Sequence, residues 1–383
     1  MTLCHPHAPR TARTLHLAPV ARRWAWAAAA RRAGLAAAAG LAALPALAQV
    51  GLAQLLAGTL PVTLTYPTAA PAKALSVGPF NLAVAADADP LPGTHRLVVL
   101  SHGTGGSWQA DHSLAATLAR AGFVVAQPLH QGDNFRDSSQ AGPVSWGTRP
   151  LEVSQVIDML AAHPQWQARL RLDRVGVHGM SAGGGTALVT AGGQWRLVDL
   201  VRHCQAQGDA DMGFCYNGLA DAAAQARRRA QYDSARGVPD LFLPAPMTRL
   251  QGGRTPAAEG DDPRPDARVA AVTVAVPVAA MFTADSLARI RVPVGVVAAQ
   301  RDQMLVPAWH SSRLLQACSA CSLLADLPSA GHMDLLSPLP AGIAQDEAAR
   351  QPRGGAPEAG FDSRLRDAAF QAVADFHRRH LGP

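Results

Sequence analysis

The residues best placed to do chemistry are Gly179, Met180, Ser181, Ala182 and Gly183, which follow an apolar run (Val175, Val177) and precede a small-residue stretch ending in Thr186-Ala187-Leu188. A serine on a sharp strand-to-helix turn has neighbours too close for side chains, so glycine is required two positions before it and two after. Both glycines are present. Such a turn lifts the hydroxyl above a sheet edge and aims the first N–H groups of the next helix at any oxyanion formed there. The pattern reads as a nucleophile elbow, and its chemistry is attack of Ser181 on an acyl carbon. In a chain with 34 glycines the five-residue pattern alone competes with a glycine-rich loop. Context favours the elbow: Val175 to His178 reads as a short buried strand and Thr186 to Ala191 as a compact helix packed behind it.

A serine hydroxyl is a weak nucleophile at neutral pH and needs a general base, which in turn needs a group to hold its tautomer. In the chain order serine, acid, histidine, the acid falls on Asp302, just past the apolar run Val292 to Ala299. The base falls on His332, where Gly331 lets the backbone turn the ring inward. Of the other histidines, His5, His7 and His16 lie near the start of the chain, His310 reads as helical, and His377 and His380 lie in a terminal amphipathic helix. Asp326 and Asp334 are rival acids, but they are so near His332 in sequence that orienting its loop suits them better. The oxyanion requires two backbone N–H groups. Ala182, after the nucleophile, supplies one; Thr104, between glycines in His102-Gly103-Thr104-Gly105-Gly106, supplies the other. His102 reads as a hydrogen-bonded loop-former. These parts describe an acyl-enzyme cycle that calls for no metal and no cofactor.

The elements that must position these residues alternate strand and helix. Residues 59 to 86 alternate apolar and polar side chains, as antiparallel strands at the start of a mixed sheet do. His95 to Leu100 is a buried strand ending at the glycine-rich loop, His112 to Ala121 a helix, and Gly122 to Gln127 the next parallel strand. Arg149 to Ala162 reads as a helix with Pro150 in its first turn and Leu151, Val156, Ile157 and Leu160 on its buried face. Strands follow at Val269 to Val276 and Val292 to Ala299. Between the elbow and these strands, about residues 195 to 264 lose the rhythm and read as a cap segment inserted over the sheet. The expected fold is α/β, a mostly parallel central sheet flanked by helices.

The formal charge of +6 is confined to the start of the chain. Before Gln49 there are six arginines (Arg10, Arg13, Arg22, Arg23, Arg31, Arg32) and no acidic residue; setting these aside leaves 28 basic against 28 acidic side chains. No nucleic-acid partner follows from that balance. Residues 1–48 have the parts of a secretory signal: an arginine-bearing n-region, an apolar run from Ala33 to Leu44, and Ala46-Leu47-Ala48 as a small-x-small cleavage site. Arg31-Arg32 leaves twin-arginine and Sec export both open. The reading is a periplasmic or secreted protein with no membrane insertion after cleavage, its catalytic domain spanning residues 49–383. Of five cysteines, Cys4 leaves with the leader, and the other four read as two local disulfides, Cys204 to Cys215 and Cys318 to Cys321.

Three blocks carry a family resemblance: Leu97 to Ser107 continued by Leu118 to Val125, the elbow Gly179 to Gly184, and Val292 through Asp302 to His332. In these the chain resembles the dienelactone-hydrolase-like α/β hydrolases, related to platelet-activating-factor acetylhydrolases. The resemblance implies the α/β-hydrolase fold, Ser181, Asp302 and His332 as a triad, and Thr104 and Ala182 as the oxyanion hole. Position 181 is serine where dienelactone hydrolases carry cysteine, which argues against dienelactone as substrate. Met180 and Ala182 stand where the acetylhydrolases often have a histidine or an aromatic residue, so phospholipid specificity is not implied.

The leading reading is an exported serine carboxylic-ester hydrolase acting on short to medium acyl esters, with Trp108 and Trp309 either lining the pocket or packing in the core. A polyester or aromatic diester (phthalate or terephthalate type) is the alternative substrate, which an open cleft would favour. A non-catalytic α/β-hydrolase scaffold is the alternative of another class; such scaffolds usually lack a triad member. A peptidase would need a domain to filter peptides, and none is legible. Acyl length and oligomeric state are left open.

Overall fold

The computed structural model describes residues 49–217, 221–235, 265–349 and 357–382. Residues 1–48, read above as a leader, and residues 218–220 and 236–264 of the segment read as a cap lie outside the described residues.

The chain enters the sheet at once. Strand β1 (Gln49–Ala57) precedes the region in which the alternating pattern was read, and it pairs antiparallel with β2 (Leu60–Thr68) in a register that closes at Ala57 opposite Leu60. The two-residue loop has Gly58 at φ +61°, the backbone a tight hairpin demands at its first central position. A second hairpin, β3 (Lys73–Val77) and β4 (Phe80–Ala86), adds to the β1 edge through two residue pairs only.

The rest of the sheet is β5 (His95–Ser101), β6 (Val124–Pro128), β7 (Leu170–Met180), β8 (Val269–Ala275), β9 (Val294–Ala299) and β10 (Cys321–Leu327). The strand order is β10-β9-β8-β7-β5-β6-β2-β1-β4-β3, and the six strands from β10 to β6 run parallel. From β5 the chain first winds outward to β6, then returns to β7 and continues the other way. The order therefore reverses between β5 and β7. At such a switch point the two connections leave in opposite directions and open a crevice at the carboxyl ends of the strands.

Both faces are covered, because alternate residues of a buried strand point to opposite sides. Leu97 and Val99 of β5 join the core under helices α2 (Pro143–Ala162) and α3 (Ala182–Thr190); Val98 and Leu100 join the core under α1 (His112–Arg120) and the terminal helix, Ser363–Leu381. On α2 the buried stripe is Val153, Val156, Ile157 and Leu160, at helical spacing, each contributing about 1.5–3 kcal/mol on burial. The sequence reading needs two corrections here. Helix α2 begins at Pro143, whose missing N–H is harmless at the first helical position, so Pro150 lies inside the helix. Leu151 is exposed, because two residues before Val153 is roughly the opposite face.

Beyond α3, the described part of the segment read as a cap is helical: α4 (Leu197–Gln207), α5 (Met212–Cys215) and α6 (Ala222–Ser234). Cys204 is bonded to Cys215 and Cys318 to Cys321, the pairing expected. Leu200, Cys204, Cys215 and Tyr216 belong to the α2/α3 core. A side chain on Gly213 would collide with the backbone of Gln303 and Met304, so α5 lies directly against the residues that follow Asp302. His310 does not sit within a helix; it precedes α8 (Ser311–Ala317), fully buried, and its Nε2 lies 3.1 Å from the Asp211 carboxylate before α5. Helix α7 (Ala284–Ala288) precedes β9, α9 (Ala341–Ala349) follows β10, and Ser363–Leu381 is α10. Among the described residues, no helix is long and apolar enough to cross a membrane.

Candidate active site

Ser181 occupies the single residue between β7 and α3 with φ +57° and ψ −120°, a conformation that costs a non-glycine residue on the order of 1–3 kcal/mol. The surroundings hold it there. Its N–H donates to Ala275 O (3.0 Å), and its carbonyl accepts from the N–H groups of Gly184, Gly185 and Val278 at 2.9, 3.2 and 3.0 Å. The flanking glycines are needed for close approach: a Cβ on Gly179 would lie 1.9 Å from Gly183 O, and one on Gly183 would lie 1.9 Å from Ser101 O. The second contact also brings the end of β5 against the elbow. A Cβ on Gly103 would stand 3.4 Å from the Ser181 Cβ, so the loop after β5 passes beside the serine.

Asp302 lies three residues beyond β9 with its side chain fully buried. One carboxylate oxygen accepts the N–H groups of Met304 and Leu305, both at 2.8 Å. The other is 2.7 Å from His332 Nδ1. A carboxylate can only accept, so the proton between them belongs to Nδ1 and Nε2 is left as the ring's acceptor, the tautomer a general base requires. His332 opens a short 3₁₀ turn (His332–Leu335) after β10. Asp334 shapes that turn, accepting from Gly331 N (2.8 Å) and Glu358 N (3.1 Å), and burial raises its carboxyl above the ordinary range. Asp326 is taken up by Gln300. The acid and histidine loops are also joined by their backbones, Arg301 N–H donating to Ala330 O at 2.9 Å.

Ser181, Asp302, His332 and Thr104 thus follow β7, β9, β10 and β5, all at the carboxyl edge of the parallel strands and around the switch point. Ala182 is the first residue of α3, and Thr104 is exposed in a turn closed by Gly106 N–H on Gly103 O (3.1 Å), with Gly105 at φ +65°. Among the described residues neither the Ala182 nor the Thr104 N–H has a hydrogen-bond acceptor in the protein. His102 is buried; its Nε2 accepts from His130 N–H (3.2 Å), so its Nδ1 carries the proton and donates to Gly103 O at 2.7 Å. Burial holds it neutral, well below the ordinary histidine range. Trp108 packs in the core beside Val50 and Leu52, while Trp309 meets His203 edge-on.

A buried polar cluster behind the loop after β5 has no counterpart in the sequence reading. Arg149 and Asp133, both with fully buried side chains, form an ion pair at 2.8 Å. Asp133 also accepts from Gly105 N (2.9 Å) and Ser145 Oγ (2.6 Å), and Arg149 donates to His102 O and Gly103 O. Beside them, Ser101 Oγ lies 2.7 Å from His130 Nε2, and His130 Nδ1 2.5 Å from Glu152. Burial pushes Glu152 up to about 7 and His130 well below its ordinary value. The one signal in the sequence was His130 and Asp133 in a loop directly after a parallel strand.

His203, Asp211 and Cys215 come within 4.8 Å of one another, but the Cys215 sulfur is in a disulfide and Asp211 is held by His203 and His310, so these residues do not make a ligand set for a metal.

No protein-family model matches the chain, and no curated protein does. Solved structures do. A ferulic acid esterase from Streptomyces cinnamoneus aligns over 89% of this chain and 92% of its own, with a TM-score of 0.53 at 19% identity. A dienelactone hydrolase from Anabaena variabilis aligns over 88% of this chain and all of its own, with a TM-score of 0.46 at 14% identity. The chain has the α/β-hydrolase fold.

Proposed function

We propose that the protein is a serine carboxylic-ester hydrolase acting on short to medium acyl esters. The observation that carries this reading is the 2.7 Å hydrogen bond between buried Asp302 and His332, at the sheet edge where Ser181 stands on a strained, glycine-flanked turn. His332 takes the Ser181 proton through Nε2 as the hydroxyl attacks the ester carbonyl, and Asp302 stabilises the imidazolium. The Ala182 and Thr104 N–H groups, unpaired among the described residues, receive the oxyanion. The alcohol leaves with the proton from His332, and water releases the acid by the same route. The ferulic acid esterase on the same fold is consistent with ester chemistry, and the two disulfides suit an exported, periplasmic or secreted protein.

The test is hydrolysis of p-nitrophenyl acetate, butyrate, octanoate and palmitate by the chain lacking residues 1–48 and by its Ser181→Ala variant. Turnover that Ser181→Ala abolishes, falling with acyl length, is the expected result. Equal rates in both proteins, or no turnover in either, would return the fold to a non-catalytic scaffold.

A further inference from the structure

The proposed oxyanion hole depends on one peptide plane, that between Gly103 and Thr104. In a planar trans peptide the C=O and N–H point in opposite directions, so whatever fixes the Gly103 carbonyl also fixes the Thr104 N–H. Three donors converge on that carbonyl: His102 Nδ1 at 2.7 Å, Gly106 N at 3.1 Å and Arg149 Nη2 at 3.3 Å. Arg149 Nη1 holds the preceding carbonyl, His102 O, at 2.7 Å, and Nη2 also reaches Asp133 O and the Asp133 carboxylate. Asp133 closes the arrangement on the next residue, accepting Gly105 N–H at 2.9 Å.

A fully buried guanidinium is an expensive way to pack a helix against a loop. Burial depresses its pKa, and replacing such an ion pair by apolar side chains is often neutral or stabilising. What an apolar replacement could not do is draw two successive carbonyls to one side. The planar fork of arginine presents several donors in fixed directions; a lysine ammonium does not. We infer that Arg149, held by Asp133 and assisted by His102, is a positioning residue that turns the Gly103 carbonyl away from Ser181 and thereby aims the Thr104 N–H at the oxygen of the tetrahedral intermediate. This rests on the serine-hydrolase reading above.

The test compares an oxygen ester with its thiono counterpart, in which sulfur replaces the carbonyl oxygen. An oxyanion hole discriminates against the longer, weakly accepting sulfur, whereas a general loss of packing does not. Arg149→Lys should lower kcat for p-nitrophenyl acetate by about 10²-fold, the scale of losing one oxyanion donor, with KM changed by less than about threefold. The preference for the oxygen ester should collapse by a similar factor. Thr104→Pro removes the N–H at the second position of the turn, which proline suits, and should give the same losses. Combining the two should add little, because both act on one hydrogen bond. Near-UV circular dichroism confirms that each protein is folded; if Arg149→Lys does not fold, His102→Gln, which alters one donor to the same carbonyl, is read in the same way.

Full discrimination in a folded Arg149→Lys or His102→Gln protein, or losses that multiply with those of Thr104→Pro, would overturn the inference. Activity in the parent that survives Ser181→Ala would instead overturn the hydrolase reading on which it rests.

Discussion

Two sets of serine, histidine and carboxylate can be compared within one molecule, the proposed Ser181, His332 and Asp302 and the hydrogen-bonded Ser101, His130 and Glu152, and they are built in opposite senses. In the first, Asp302 is fully buried at the far end, Ser181 is 9% exposed and the loop beside it carries the exposed Thr104. In the second, Ser101 and His130 are completely buried, and it is Glu152 that reaches the surface, at a groove of about 550 Å³ lined also by Gln131, Gln140 and Gln155. Ser181 stands on a positive-φ turn at a helix start; Ser101 ends a regular strand with its carbonyl packed on Gly183. Ser101, His130 and Glu152 are linked by hydrogen bonds along their whole length, yet the Ser101 hydroxyl is fully buried, so no acyl group can reach it. Hydrogen-bond order alone does not make a nucleophile. Access, strain and unpaired N–H groups distinguish the first grouping from the second.

Ser181→Ala breaks the comparison most sharply: kcat for p-nitrophenyl acetate should fall by about 10⁵-fold while the thermal midpoint stays near that of the parent. Asp302→Asn should follow with a loss of about 10³–10⁴-fold, since an amide can hold His332 in the wrong tautomer; a pH–rate profile and near-UV circular dichroism check that the protein is otherwise intact. Ser101→Ala should do the reverse of Ser181→Ala. It leaves His130 Nε2 buried without a partner, so stability should drop by about 1–3 kcal/mol in urea unfolding while kcat stays within about tenfold of the parent.

The smallest expected effect concerns pH. Glu152, at about 7 in the folded protein, holds a proton that an unfolded glutamate releases near the ordinary value of about 4.3. Its contribution to stability is therefore fully present below that ordinary value and lost as the pH rises through about 7. The buried histidines act in the opposite sense. His178 and His377 are held near 3 by burial and His112 near 4, so their contributions are full above about 6.5 and lost as the pH falls. Glu152→Gln should remove only the first slope, gaining roughly 2 kcal/mol relative to the parent between pH 4.5 and 7.5. A parallel offset at every pH would show that Glu152 does not titrate in this window.

Much of the site was legible because its signals are local. The elbow needs glycines two residues either side of Ser181, and steric contact at 1.9 Å leaves no alternative at Gly179 or Gly183. Asp302 and His332 stand just after apolar strands, and strand ends are where a parallel sheet presents loops. The cysteine pairs are separated by 11 and 3 residues, so chain proximity already favoured their partners. Strand β1 is hard to read locally because it directly follows the apolar, alanine-rich stretch before Gln49, and the start of α2 is ambiguous because Pro143 and Pro150 offer the same local signal.

The sequence by itself therefore determined the glycine-flanked turn at Ser181, the placing of Asp302 and His332 after successive strands, and the alternation of strands and helices that makes a parallel sheet. Tertiary structure decided which side chains stand behind the loop after β5. Arg149 meets Asp133 sixteen residues away and His102 forty-seven away. Those meetings exist because β5 lies between β6 and β7, which brings the loops after β5 and β6 and the helix that follows them to one place. A charged residue on a helix reads as solvent-facing in any local window, since the charge must otherwise be paired. Only strand order supplies the carboxylate and carbonyls that let Arg149 be buried.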